Sequence, residues 1–256
     1  MAGTHTKAIG RKIFTLATDL DGTFLGGSDA DRARLYGWIE DNRDTIGLIF
    51  VTGRDPEFIE DLTAGDVPRP DYVVGDVGTT IAEMGPGPVT PIPALEAEIA
   101  AAWGDGGERV RAALDGISGL TLQPTEFRYR VSYDMDPEAL DPAAHDIVAG
   151  LGYDVLTSAD RFFDVLPRGI SKGPSILRLV DHLGLPRDGV LVAGDTLNDL
   201  SMLVTPLPAV AVGGSEPALL AALDANGGAP NLHRAEAIGA GGILEAVAAF
   251  NLHPTP

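Results

Sequence analysis

Two carboxylates one residue apart, Asp19 and Asp21, close an apolar run at 13–17 and are followed by Gly22 and Thr23. Residues i and i+2 of an extended segment point to the same side, so both carboxylates can address one site. Two carboxylates converging there repel unless a cation or a shared proton intervenes. A bound divalent metal answers that need, and so does one acid held protonated for acid/base work. Gly22 lets the backbone turn away sharply, and Thr23 can hydrogen-bond within the turn. Further along stand Thr52-Gly53-Arg54, Ser171-Lys172-Gly173 and Gly194-Asp195-Thr196-Leu197-Asn198-Asp199. Asp19, Asp21 and Asp195 form an oxygen-only hard-cation site suited to Mg²⁺, with Asp199 to orient a metal-bound water and Asn198 to fix its neighbours. A lysine, a threonine hydroxyl and glycine amides are what a phosphoryl group needs around it. Lys172 is the only lysine beyond residue 12, in a chain with 15 arginines. Carboxylate, metal and lysine together suit transfer of a phosphoryl group to Asp19, followed by hydrolysis of the aspartyl phosphate. No G-x-x-x-x-G-K-S/T segment is present, which disfavours a P-loop nucleoside triphosphatase.

The elements that must position these groups are legible from periodicity. Residues 13–17, 46–51, 190–193 and 209–212 are continuously apolar, the pattern of strands buried on both faces, and 71–74 is a further short strand. Helices are predicted from Ser28 or Asp29, with Leu35, Trp38 and Ile39 on one face, and from near Pro56. Another starts at Ser171-Lys172, with Ile176, Val180 and Leu183 inward and Gly184 and Pro186 as its stop, and a last one covers 242–250. This alternation predicts a doubly wound, Rossmann-like parallel α/β sheet whose ligand site lies at the carboxyl ends of the strands.

The middle of the chain has a different texture. Four prolines between Pro86 and Pro93 read as a stiff connector. Residues 127–133 alternate: Phe127, Tyr129, Val131 and Tyr133 on one face, Arg128, Arg130 and Ser132 on the other, as in a half-buried strand. The neighbouring strands at 153–157 and 161–166 predict an antiparallel sheet, and helices fall near 94–103, 108–114 and 138–149. The predicted organisation is a core domain in two parts, 1–80 and 168–256, around an inserted α+β domain at 81–167. That insert carries 15 acidic and 5 basic residues, so a basic pair on one strand face stands out, and Arg128 is predicted to reach substrate when the insert closes over it.

Composition narrows the partners. A net charge of −19 repels nucleic acid and anionic membranes. With 45% hydrophobic residues yet no apolar run long enough to span a bilayer, the chain is expected to bury ample core. The segment 1–11 reads as a short flexible arm without the hydrophobic stretch of a signal peptide, so a cytoplasmic protein is expected. Zero cysteines exclude disulfide and thiolate chemistry, and the five scattered histidines show no metal-ligand spacing.

The set Asp19-Leu20-Asp21-Gly22-Thr23, Thr52-Gly53-Arg54, Ser171-Lys172-Gly173 and Gly194 to Asp199 resembles the four motifs of the haloacid dehalogenase superfamily. Asp76-Val77-Gly78-Thr79, the stretch 127–133, Phe163-Asp164-Val165-Leu166-Pro167 and Gly241 to Ala246 resemble its sucrose-phosphate phosphatase group. The resemblance implies a Mg²⁺-dependent phosphatase with a C2-type cap, acting on a phosphorylated sugar or glycoside. Glucosylglycerol phosphate and mannosylfructose phosphate are the alternatives, and a catalytically silent sugar-phosphate sensor a more distant one. It makes Asp19 the nucleophile and a metal ligand, and Asp21 the general acid/base with its carbonyl on the metal. Thr52, Gly53 and Lys172 would hold the phosphoryl oxygens, Asp195 would complete the metal shell, and Asn198 and Asp199 would support Lys172 and the metal water. Arg128 stands where lysine is common in the plant and cyanobacterial enzymes; it keeps the charge and changes the hydrogen-bond geometry.

Overall fold

The computed structural model describes residues 9–84, 88–158, 160–228 and 230–256. Its strands are β1 (Phe14–Thr18), β2 (Ile46–Val51), β3 (Tyr72–Gly75), β4 (Thr80–Glu83), β5 (Thr90–Pro91), β6 (Leu120–Leu122), β7 (Val131–Met135), β8 (Tyr153–Ser158), β9 (Phe162–Pro167), β10 (Val190–Gly194), β11 (Ala209–Gly213) and β12 (Leu232–Ile238). The helices are α1 (Asp29–Asp41), α2 (Pro56–Leu62), α3 (Pro93–Trp103), α4 (Gly106–Ala113), α5 (Ala143–Leu151), α6 (Lys172–Leu183), α7 (Leu200–Leu203), α8 (Pro217–Ala225) and α9 (Ala240–Ala249). The strands form an eight-stranded sheet ordered β12-β11-β10-β1-β2-β3-β4-β5 and a four-stranded sheet ordered β6-β7-β9-β8.

Pairing is parallel from β12 to β3. Every residue of β1, β2 and β10 is buried, which is why these stretches show no polar alternation. Successive residues enter opposite cores: Leu16 and Phe50 join Leu35, Trp38 and Ile243 of α1 and α9, whereas Ala17 and Ile49 join Ile176 and Leu179 of α6. Each such large apolar side chain contributes about 1.5–3 kcal/mol by leaving water. The sheet continues from β1 to β2 on one side and to β10 on the other, so its order reverses at β1. The carboxyl end of β1 is thus a topological switch point, where open α/β sheets bind ligands.

The four-stranded sheet is antiparallel. One face packs Val131, Tyr133, Phe163 and Val165 against Trp103, Val110 and Val148 of α3, α4 and α5. The expected strand over 127–133 begins only at Val131, because its first residues are drawn in different directions. Arg128 and Tyr129 reach Glu96 on α3, and Arg130 reaches the carbonyl of Gly53. Val131 and Tyr133 do face the helices, but Phe127 lines a cavity instead. Strand β4 pairs antiparallel with β3 and β5 antiparallel with β4, so the eight-stranded sheet extends to Pro91, beyond residue 81. Of the expected arm, 9–11 is a helical turn and 1–8 lies outside the described residues; of the proline-rich connector, Pro86 and Gly87 do as well. Among the described residues no helix is long and apolar enough to cross a membrane.

Candidate active site

The chain leaves β1 at Asp19, whose amide donates to the carbonyl of Ala193 on β10 at 2.9 Å. It then makes a tight turn over Leu20–Phe24 in which Gly22 has φ +83°. A Cβ on Gly22 would lie 2.2 Å from Asp195 Oδ2, so the turn and the neighbouring carboxylate coexist only because that position is glycine. Thr23 Oγ1 donates to Asp195 Oδ1 at 2.6 Å, fixing the second carboxylate from the first loop.

Lys172 opens α6 and is fully buried. Its Nζ donates to Asp19 Oδ1 at 2.6 Å, to Asp199 Oδ1 at 2.7 Å and to Asn198 Oδ1 at 2.9 Å. A buried ammonium is tolerated only with such partners, and here all three ammonium protons are engaged. The other oxygen of Asp199 accepts from the amides of Asp195 and Thr196, each at 3.0 Å, closing a capping box on the loop after β10. Gly78 lets the loop after β3 rest on the start of α6: with φ +104°, a Cβ there would lie 2.4 Å from the carbonyl carbon of Ser171.

Burial pushes the Asp19 carboxyl up to about 8, against the opposing pull of Lys172, and pushes Asp195 up to about 6. Burial pulls the Lys172 ammonium down, but Asp19 and Asp199 outweigh it and raise the group above its ordinary value. Carboxyl oxygens of Asp19, Asp195 and Asp199 lie within 4.8 Å of one another. An all-oxygen set of two buried acids and one half-buried, two of the three costly to ionise, fits a hard divalent cation. The carboxylate of Asp21 stands outside this cluster. It is half-exposed at the cavity wall and accepts from Arg54 Nε at 2.9 Å. Thr52 is buried at the end of β2, and its hydroxyl accepts from the amide of Arg54 at 3.1 Å, which leaves its proton free to donate.

These groups open into a cavity of about 430 Å³. Asp19, Asp21, Thr52, Gly53 and Asn198 line it from the large sheet; Gln123, Thr125, Phe127, Arg130, Ser132, Ser158, Phe162 and Asp164 line it from the small one. Lys172, Asp195 and Asp199 lie just behind, touching the lining residues Asp19, Asn198 and Thr196. Arg128 is not among the lining residues: it pairs with Glu96, contacts Thr80 Oγ1 at 3.3 Å and stays half-exposed. Strand parity put Arg128 and Arg130 on the same face and could not choose between them. Sequence reasoning also missed Asp164, whose parity with Phe162 on β9 was the available signal, and Glu216, which accepts from the amide of Leu197 at 3.1 Å.

Comparison with known proteins places this geometry. The family model for sucrose-6F-phosphate phosphohydrolase matches residues 12–251. A glucosylglycerol-phosphate synthase of Pseudomonas anguilliseptica is 43% identical over 92% of this chain, which spans about 30% of that relative's length. A mannosylfructose-phosphate phosphatase of Agrobacterium fabrum is 28% identical, over 93% of this chain and 97% of the relative. Among solved structures, the sucrose-phosphatase of a Synechocystis species, in complex with sucrose and phosphate, superposes with a TM-score of 0.82 at 28% identity, covering 94% of this chain and 98% of that one. The chain belongs to the sucrose-6F-phosphate phosphohydrolase family and is a phosphoric monoester hydrolase of the haloacid dehalogenase type.

Proposed function

We propose that this family member hydrolyses the phosphate monoester of a small glycoside, using Mg²⁺ and an aspartyl-phosphate intermediate on Asp19. The observation that carries the reading is the buried Lys172, held by Asp19, Asn198 and Asp199 beside a cavity with sugar-sized room. A carboxylate oxygen of Asp19 attacks phosphorus while the bond to the sugar oxygen breaks, and Asp21 gives that oxygen its proton. A water then attacks the aspartyl phosphate, Asp21 takes its proton, and inorganic phosphate leaves Asp19 free. The Thr52 hydroxyl and the Gly53 amide orient the phosphoryl oxygens, and Lys172, held by Asp19, Asn198 and Asp199, supplies neutralising charge just behind them. Asp19, Asp195 and Asp199, with the main chain of Asp21, would hold Mg²⁺, which supplies positive charge where two anions must meet.

The part of the insert beyond β5, from α3 to β9, serves as the cap in this reading. Phe127 and Phe162 offer apolar faces to a sugar ring, while Gln123, Thr125 and Ser158 offer hydrogen-bonding groups. The relatives are named for sucrose, glucosylglycerol and mannosylfructose phosphates, which share a glycoside carrying one phosphate. The 43% identity to the glucosylglycerol-phosphate synthase segment favours glucosylglycerol phosphate as the second reading, after a sucrose-phosphate-like disaccharide. The test is phosphate release from these three esters and from a monosaccharide phosphate, with Mg²⁺ and with EDTA. Release should depend on Mg²⁺ and favour one glycoside by about tenfold or more, the worth of a few lost contacts. No release from any ester, or release indifferent to EDTA, would overturn the reading.

A further inference from the structure

Arg130 is buried at 7% exposure, yet it forms no close ion pair. Its guanidinium lies 3.9 Å from Asp76 Oδ1 after β3, 3.7 Å from Asp164 Oδ1 on β9, and 3.4 Å from the carbonyl of Gly53 after β2. It also stacks on the ring of Phe127, 3.6 Å from the centroid. Among the described residues, two buried side-chain atoms lack a hydrogen-bond partner, and they are Arg130 Nε and Asp76 Oδ1. The unsatisfied acceptor Asp76 Oδ1 thus lies 3.9 Å from Nη2 of the same guanidinium that carries the unsatisfied Nε, too far for a hydrogen bond. Leaving both unpaired is costly, so any approach of the small sheet that joins them is favoured.

The loop bearing Asp76 is itself unusual. Asp76, Val77 and Gly78 have successive φ values of +51°, +60° and +104°, a conformation that a β-branched residue such as Val77 rarely adopts. Such a turn persists only where its surroundings over-determine it. Those surroundings are the phosphate-facing elements: Val77 donates to the carbonyl of Thr52 at 3.1 Å, Asp76 to that of Arg54 at 3.0 Å, and Ser175 Oγ on α6 to that of Gly78 at 2.7 Å. The turn thus touches both the Thr52–Arg54 loop and the helix that begins with Lys172.

We infer that Arg130 and Asp76 form a positioning latch. The small sheet, by seating Arg130 against Asp76 and the Gly53 carbonyl, sets the phosphate-binding loop rather than gripping the sugar. Arg130 and Asp76 act through Gly53 and the start of α6, without touching the reacting atoms. The inference rests on the phosphatase reading, and its test separates the two. Arg130→Gln, Asp76→Asn and the double variant are assayed on a preferred glycoside phosphate and on para-nitrophenyl phosphate, with inorganic phosphate as competitive inhibitor. The latch predicts a loss in kcat/KM of roughly 10²-fold on both esters, the scale of an ångström's misplacement, with weaker inhibition by phosphate. The double variant should be no worse than the worse single, because the two residues act as one unit. A loss confined to the glycoside ester, with the small ester and phosphate inhibition unchanged, would make Arg130 a sugar contact and overturn the latch. So would losses that simply add. If Arg130→Gln fails to fold, Arg130→Lys decides by the same measurements, since it keeps the charge and loses the planar fork. A wild-type enzyme inactive on both esters would instead sink the phosphatase reading.

Discussion

The two walls of the cavity each bury a cation, and they treat it differently. On the large-sheet wall Lys172 meets oxygen partners at 2.6, 2.7 and 2.9 Å. Across the cavity Arg130 meets its carboxylates only at 3.7 and 3.9 Å and keeps an unpaired Nε. The first wall is organised before any ligand arrives, as electrostatic catalysis requires. The second is built to adjust, on irregular backbone at 127–130 between the two sheets. In the proposed reading the chemistry belongs to the rigid wall and the adjustable wall sets its phosphate loop through Arg130, a division that substitutions can test from either side.

The largest losses should come from the rigid wall. Asp19→Asn should lower kcat by ~10⁴-fold or more, because an amide cannot attack phosphorus, with the melting temperature little lowered. Substantial residual turnover would remove Asp19 from the nucleophile's role. Asp21→Asn should slow hydrolysis of a sugar phosphate by ~10²–10⁴-fold, and much less for an ester whose leaving group needs no proton. Equal slowing of both esters would count against the acid/base assignment.

Lys172→Ala tests the same wall through stability. It leaves Asp19 and Asp199 buried without their cation, a change worth about 3–5 kcal/mol in chemical denaturation. A loss under about 1 kcal/mol would mean that Lys172 is not the neutralising charge.

A pH series sharpens the comparison further. Asp19 and Asp195 are raised to about 8 and about 6 from an ordinary 3.8, burial being the main cause. A raised acid favours the fold while protonated, and that contribution is lost as pH climbs through its folded value. Metal-free protein should therefore lose stability between about pH 4 and pH 8. In the proposed reading Mg²⁺ takes the ionised acids, so it should raise the melting temperature more at pH 8 than at pH 5. A shift independent of pH would separate the metal from these two acids.

The smallest effect is expected at Arg128, on the outer side of the adjustable wall. Its half-exposed pairing with Glu96 is worth about 0–1 kcal/mol, so Arg128→Ala should change kcat/KM by only about threefold on any ester. A large loss specific to the glycoside would return Arg128 to the substrate and redraw the wall.

The rigid wall was readable in the sequence because each of its parts is contiguous. Asp19 to Thr23, Thr52 to Arg54 and Gly194 to Asp199 each follow an apolar strand, and Lys172 opens a helix with a marked inner face. Strand order then converges them without any further information. The adjustable wall is assembled from single residues that owe their placement to tertiary contacts. Period-2 parity placed Val131 and Tyr133 correctly against the helices, but it could not foresee Glu96 capturing Arg128 and Tyr129. The strands β5 and β6 are two and three residues long, too short to carry a periodicity, and β12 is half polar at a sheet edge. The role of Asp76 was hidden for another reason: nothing in its sequence marks a left-handed turn at Asp76-Val77.

The position of β1 between β2 and β10 also has a consequence in time. The strand carrying Asp19 can pair with β2 as soon as residue 51 is made, but its other neighbour arrives only with residues 190–194. Lys172 and Asp19 are separated by 153 positions, so a chain growing at ~5–20 residues per second spends roughly eight to thirty seconds with the aspartate made and its lysine still to come. The four-stranded sheet, drawn wholly from 120–167, can form during that wait. The candidate site is therefore completed only after the four-stranded sheet can form, when residues 172–199 come back beside β1.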